Sequence, residues 1–307
     1  MDRLPDFLVI GAMKAGTTSL YEDLARQPGC YFPPGEKEPH ALIDHRVLTV
    51  RGRRSYARLY RGAGNSQLCG DASTGYTKRP DIPGVAQRAR NLLGPDLKAI
   101  YLIREPIART VSQHHHELSL GLVPATLDDA IHRFPRLINY SKYAYQLRPW
   151  LEEFGGDRIQ VIRFEDYVMN RLSTMSSVCR FLGIEPRHEL VDTERVYGKT
   201  VERSLPRGPF WRMSRTSIYR RFVRRWLPDE SREWLRRKLL PTAAPRPPAP
   251  QEDTLRCLAD KLAPEVEELR RMLSLDAPLW DLEEVIRSQL EPRARGRATA
   301  LPAPMRP

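Results

Sequence analysis

A chain of 307 residues, 41% of them hydrophobic, is long enough to bury a full α/β core and still carry an extension. Its net charge of +12, from 50 Lys+Arg against 38 Asp+Glu, suits anionic partners such as nucleotides, sulfated or phosphorylated compounds and anionic surfaces. The four cysteines, Cys30, Cys69, Cys179 and Cys257, lie far apart with no C-x-x-C pair, which argues against a disulfide framework or a zinc site, and no apolar run approaches the roughly 18 residues of a membrane span.

In chain order, Phe7 to Ile10 is an apolar run of the length of a buried strand. Gly11 and Gly16 follow, then Thr17, Thr18 and Ser19 at the start of a predicted helix that ends near Pro28. Strand, glycine-framed loop and hydroxyl-rich helix start form a cradle for a phosphate. Glycine lets the backbone approach the anion, and the helix N-terminus adds favourable partial charge. The candidate phosphate-binding residues are Lys14, Ala15, Gly16, Thr17, Thr18 and Ser19. The residue after the second glycine is Thr17 rather than lysine, so the loop departs from the nucleotide-hydrolysing G-x-x-x-x-G-K-[ST] pattern. The alternative is an ordinary strand-turn-helix with incidental glycines.

Residues 31–42 are rich in proline and charge and read as a loop carrying Lys37, Glu38 and His40. Ser55 to Arg61 reads as a short helix, residues 67–76 as a brief strand running into a polar turn, and Pro83 to Leu93 as a helix stopped by Gly94-Pro95. Ala99 to Ile103 fits a central parallel strand. It ends at Arg104, and Pro106 suits the first turn of the next helix, which carries Arg109 and Ser112. An Arg at the carboxyl end of a parallel strand sits where open α/β sheets bind ligands, so Arg104 and Ser112 can converge on a second anion. A surface Arg104 paired with Glu105 is the plainer alternative. His114, His115 and His116 point about 100° apart on a helix and lack the i,i+4 spacing of zinc-binding helices, so no metal site is expected. One of them is expected at a cleft and the others at the surface.

Tyr140 to Phe154 reads as a helix, Ile159 to Phe164 as a strand, and Arg171 to Leu182 as a helix with Met175, Val178, Cys179 and Leu182 on one face. The alternation predicts an α/β sandwich of three layers, a central parallel sheet flanked by helices. Residues 196–206 form a basic loop with Gly198, Lys199 and Arg203. Residues 211–238 are an Arg-dense helical stretch, either packed on its own domain or meeting a membrane or acidic partner. A proline-rich linker at 241–250 precedes a helix striped with Leu255, Leu258, Leu262, Val266, Leu269 and Met272, whose end Trp280 should anchor. The tail from Pro292 is Arg, Ala and Pro and reads as disordered.

With these blocks in view, residues 5–205 resemble the sulfotransferases that use 3′-phosphoadenosine 5′-phosphosulfate (PAPS), most closely the heparan sulfate branch and its bacterial relatives. GAMKAGTT resembles the family's 5′-phosphosulfate loop, with Lys14 in the place of the family lysine. REPIARTVS resembles the 3′-phosphate site, with Arg104 and Ser112 as ligands. EKEPHAL is similar to the K-E-x-H-F-F segment, which implies Glu38 as catalytic base. His40 is the next candidate. GDASTGY lies where the family has E-K-S-P-A-Y, and GKTVERS where a basic loop closes over the nucleotide through Gly198, Lys199 and Arg203. Ala41-Leu42 replace the family's aromatic pair and Ala72 its lysine, both on the expected acceptor side.

The resemblance implies a P-loop-like sulfotransferase domain over residues 1–290 with a helical C-terminal part from about 206, followed by a tail at 291–307. It also implies PAPS as co-substrate, adenosine 3′,5′-bisphosphate as product and no metal. The acceptor would be a hydroxyl or amine on a small molecule, a saccharide or a lipid-linked compound, with no nucleic acid as partner and peripheral membrane contact confined to the Arg-dense stretch. No signal-peptide pattern precedes the first strand, and a soluble, cytoplasmic enzyme is expected. Two rival readings are a P-loop kinase or NTPase, which calls for magnesium and a lysine directly before Thr17, and a non-catalytic polyanion-binding protein.

Overall fold

The computed structural model describes residues 3–193 and 247–290. Five parallel strands are described: β1 (Phe7–Gly11), β2 (Cys30–Tyr31), β3 (Leu68–Asp71), β4 (Lys98–Ile103) and β5 (Ile159–Arg163), in the sheet order β2-β3-β1-β4-β5. The chain winds outward from β1 to one side and then, after β3, crosses to the other. The reversal lies at β1 and β4, so the crevice beyond their carboxyl ends is the place for a ligand. The loop Gly11–Gly16 and the residue Arg104 both occupy that crevice.

Side-chain alternation along the strands builds a core on each face of the sheet. Leu8 and Ile10 of β1 pack with Tyr101 and Ile103 of β4 against α3 (Val85–Leu93) and α7 (Tyr143–Phe154). Phe7 and Val9 pack with Ile100 and Leu102 against α1 (Thr17–Ala25) and α9 (Arg171–Leu182), where Met175, Val178, Cys179 and Leu182 are buried as their spacing predicts. A third cluster joins α4 (Pro106–Ser119), α5 (Leu127–Arg133) and α6 (Arg136–Asn139) to α10 (Glu252–Met272) and α11 (Leu282–Leu290). Leu255, Leu258, Leu262 and Leu269 of the predicted stripe are buried. Trp280 anchors the end of that helix: its indole N–H donates to Glu165 at 3.2 Å and its ring lies 6.0 Å from that of Tyr143.

Several boundaries differ from the sequence reading. The helix expected from Ser55 begins at Val50 as α2 (Val50–Ala57), because the Thr49 hydroxyl caps it by accepting from the Gly52 amide at 3.1 Å. The helix expected from Tyr140 starts at Tyr143, since Tyr140 closes the separate short helix α6. β5 stops at Arg163, and Phe164 opens α8 (Phe164–Met169) instead of ending the strand. His114 is buried, its Nε2 donating to the Pro124 carbonyl at 2.9 Å, while His115 and His116 are half-buried rather than exposed. Among the described residues no group of three or more His, Cys, Asp or Glu side chains could hold a metal.

Glu105 caps α4, its carboxylate accepting from the amides of Ile107 at 2.7 Å and Ala108 at 2.6 Å. Burial pushes this carboxyl up to about 7, against the pull of those two amides, and the neighbouring charge of Glu165 adds to the rise. A carboxyl raised on folding contributes stability below its unfolded value, and that contribution fades as pH climbs toward 7. The melting temperature is therefore expected to fall between pH 5 and pH 8 more steeply for the wild type than for Glu105→Gln. Parallel profiles for the two proteins would contradict this.

Candidate active site

β1 delivers the chain into a tight turn at its carboxyl end. The Ala12 amide donates to Leu102 of β4 at 2.6 Å, which pins the loop to the neighbouring strand. Gly16 caps α1 with φ of +92°, and a Cβ there would stand 2.5 Å from the Phe164 ring, so only glycine fits. Lys14 also has positive φ, +70°, a conformation uncommon for a side-chain-bearing residue. No side chain caps α1. The Ala15 amide is used inside the loop, donating to Ala12 at 3.1 Å, and the Ser19 amide donates to Gly16 at 3.0 Å. Ala15, Thr17 and Ser19 are buried, whereas Lys14, Gly16 and Thr18 reach the half-exposed rim. The anion-facing groups of the predicted set are thus Lys14, Gly16, the first-turn amides of Thr17 and Thr18, and the Thr18 hydroxyl. The buried Ser19 side chain packs behind them.

Arg104 does not pair with Glu105. Its guanidinium donates to the Lys14 carbonyl at 3.4 Å and lies 5.0 Å from the centre of the Phe164 ring, while the Tyr143 hydroxyl holds its backbone, donating to the Arg104 carbonyl at 2.6 Å. Its charge is thereby held against the phosphate loop. Ser112 stands half-buried on α4, and no hydrogen bond joins it to Arg104. Arg109, fully buried, braces the loop from beneath: it donates to the Met13 carbonyl at 3.4 Å, to Gln113 at 2.7 Å and to the Leu137 carbonyl at 2.7 Å.

The loop after β2 carries Glu38 to the same crevice. Its carboxylate accepts from the Thr74 hydroxyl at 3.1 Å and lies 3.1 Å from His40 Nε2 and 3.7 Å from Lys37 Nζ. Burial pushes the Glu38 carboxyl up, but the His40 hydrogen bond, the charges of Lys37 and His40 and the Thr74 hydroxyl outweigh it and hold it below the ordinary range. Glu38 is therefore ionised at neutral pH. His40 has left-handed φ of +53°, and its amide donates to the Ser73 hydroxyl at 3.0 Å. Ser73 in turn donates to Asp71 at 2.6 Å, and the Tyr56 and Tyr76 hydroxyls each donate to the same carboxylate at 2.6 Å. A fully buried carboxylate thus fixes the segment that positions His40, and burial raises its pKa despite three hydroxyl donors.

Sequence reasoning missed two lysines here. Lys37 donates to the Thr18 hydroxyl at 2.7 Å, tying the Glu38 loop to the phosphate loop. Lys78 follows directly on the turn Thr74–Thr77, whose first residue binds Glu38. Neither follows a local spacing rule; only the meeting of loops from β1, β2 and β3 brings them in. Leu42 and Ala72, expected on the acceptor side, are instead fully packed into the core. Their small or apolar side chains serve packing, and Thr74 provides the polar wall. Gly198, Lys199 and Arg203 lie outside the described residues, as does the Arg-dense stretch 211–238.

A parallel sheet with an uncapped helix N-terminus at its switch point, an arginine at the next strand end and a carboxylate facing both defines an α/β protein with a P-loop-like anion site. Residues 85–198 match the family described as the sulfotransferase domain. Among curated proteins, the chain is 27% identical over 216 residues to a bifunctional heparan sulfate N-deacetylase/N-sulfotransferase of Drosophila melanogaster, covering 60% of this chain and 20% of that protein. It is 25% identical over 280 residues to carbohydrate sulfotransferase 15 of Mus musculus, covering 68% of this chain and 49% of that protein. The chain thus spans half or less of the length of these relatives. A sulfotransferase from Alicyclobacillus acidocaldarius shares the fold, with a TM-score of 0.57 at 23% identity, covering 93% of this chain and 99% of that one. The chain belongs to the sulfotransferase domain family.

Proposed function

We propose that this protein transfers the sulfuryl group of PAPS to a hydroxyl or amine of an acceptor. The observation that carries the reading is the tie between the Glu38 loop and the phosphate loop through Lys37 and Thr18, which sets a carboxylate base beside the leaving-group site. The acceptor oxygen or nitrogen forms a bond to sulfur in line with the breaking bond from sulfur to the 5′-phosphate oxygen. Such transfer depends on alignment and charge stabilisation more than on covalent help. Glu38 takes the acceptor proton, with His40 as its hydrogen-bonded neighbour. The Lys14 ammonium meets the charge growing on the leaving oxygen, and the amides of Thr17 and Thr18 with the Thr18 hydroxyl hold the 5′-phosphate. Arg104 and Ser112 receive the 3′-phosphate, and adenosine 3′,5′-bisphosphate leaves as product. The basic segment with Gly198, Lys199 and Arg203 closes the nucleotide site in this reading.

The curated relatives are named for heparan sulfate and carbohydrate, which favours a saccharide over a small phenolic or lipid-linked acceptor. No metal takes part in this scheme and no nucleic acid is bound. No helix among the described residues is long and apolar enough to cross a membrane, and all four cysteines are free thiols, in keeping with a reducing, cytoplasmic setting.

Calorimetry tests the donor site. Adenosine 3′,5′-bisphosphate is expected to bind roughly tenfold to hundredfold more tightly than AMP, since losing the 3′-phosphate forfeits a charged hydrogen bond to Arg104. Equal affinities would overturn the assignment. Transfer from labelled PAPS is expected to proceed unchanged in EDTA; activity lost on chelation and restored by magnesium would favour a kinase.

A further inference from the structure

Lys78 is held in place by its own neighbours. The turn before it is tied at both ends, Thr74 donating to Glu38 at 3.1 Å and Thr77 to the Ile10 carbonyl at 3.0 Å where β1 ends. The Lys78 ammonium is half-buried and stands 5.8 Å from the centre of the Tyr140 ring. Burial lowers its pKa, while the nearby carboxylates Glu38, Glu117 and Asp81 oppose that and Arg109 adds to it. Each of those carboxylates is engaged elsewhere: Glu38 by His40 and Thr74, Glu117 by Gln113 at 2.7 Å and Arg136 at 2.7 Å, and Asp81 by the Tyr140 hydroxyl at 2.6 Å. Lys78 itself makes no hydrogen bond or ion pair with any described residue. An ammonium withdrawn from water beside a catalytic cleft, with its donors unused, is costly unless an outside group completes it.

We propose that Lys78 receives an anionic group, a carboxylate or a sulfate, borne by the acceptor beside the hydroxyl or amine that Glu38 deprotonates, so that the enzyme selects acidic saccharides over neutral ones. The inference rests on the transferase reading and sharpens its acceptor. The donor's own anions have their receivers on the far side, at Thr17, Thr18 and Arg104, whereas Lys78 shares a turn with the residue that holds the base.

The test uses 4-nitrophenyl β-D-glucuronide and 4-nitrophenyl β-D-glucoside, which differ in a carboxylate, with the full chain saturated in adenosine 3′,5′-bisphosphate. Wild type is expected to bind the glucuronide roughly tenfold to hundredfold more tightly, the worth of one charge-assisted hydrogen bond. Lys78→Met, which keeps length and apolar stem, is expected to abolish that preference, and Lys78→Arg to retain it. Equal binding of the two glycosides by wild type, undetectable glucuronide binding, or an undiminished preference in Lys78→Met would each overturn the proposal. So would a drop in transfer from PAPS that is the same for both glycosides in Lys78→Met with discrimination intact, because the charge would then act on the transferred group. Failure of wild type to bind the bisphosphate would instead remove the transferase reading beneath it, so the two failures are told apart.

Discussion

Glu38→Gln is expected to lower kcat by about 10²–10⁴-fold while leaving bisphosphate affinity close to that of the wild type. Glutamine preserves the shape of the side chain and can still accept from Thr74, so the loop stays in place while the proton acceptor is lost. The sign of the pH dependence follows from the site. Because His40, Lys37 and Thr74 hold the Glu38 carboxyl below the ordinary range despite its burial, the wild-type acid limb lies below that range, and activity should be flat from there to neutrality. The variant should lack this limb. Raising the pH should recover part of its activity with a phenolic acceptor, whose own pKa is about 10, and little with an alkyl hydroxyl. A pH-rate profile of Glu38→Gln with full kcat throughout would show that the base lies elsewhere, and His40, 3.1 Å away, would then be the group to replace.

Lys14→Ala should fail differently. Charge on the leaving oxygen grows toward the transition state, and removing one oriented electrostatic partner costs about 10²–10³-fold in kcat. Lys14 sits in the phosphate loop, so donor affinity should fall as well, and no change of pH should rescue either. The backbone complicates this little: φ of +70° is as unfavourable for alanine as for lysine, so the substitution adds no new strain at that position. Bisphosphate titrations beside the rate profiles separate the two variants. A Lys14→Ala enzyme with wild-type donor affinity and kcat would remove the lysine from the mechanism.

The donor half was legible in the sequence because its information is local. Gly11, Gly16 and the hydroxyls at Thr17 and Thr18 lie within eight residues, and the apolar run before Arg104 announces a strand end by composition alone. The acceptor half was legible only as a stretch of loop. What holds Glu38 comes from Thr74, what holds His40 comes from Asp71 through Ser73, and what links both to the donor is a bond from Lys37 to Thr18. Such contacts depend on strand order, which no spacing rule reports. The same reasoning hid the two-residue strand β2, too short to show a period, and the helix α11, whose pattern is brief. Leu42 and Ala72 show the converse error: a position assigned to the cleft by its place in a motif turned out to face the core.

Gly16 carries one more consequence. The space its missing side chain would fill is occupied by the ring of Phe164, a residue from the far end of the sheet that also supports Arg104. The contour of the phosphate loop is therefore moulded from outside by an aromatic nearly 150 positions downstream. The loop is not a portable cassette. A chimaera that carried residues 5–20 into another scaffold would leave Gly16 beside an empty hollow, and one that imported a foreign loop with a side chain at this position would collide with Phe164 before any nucleotide arrived.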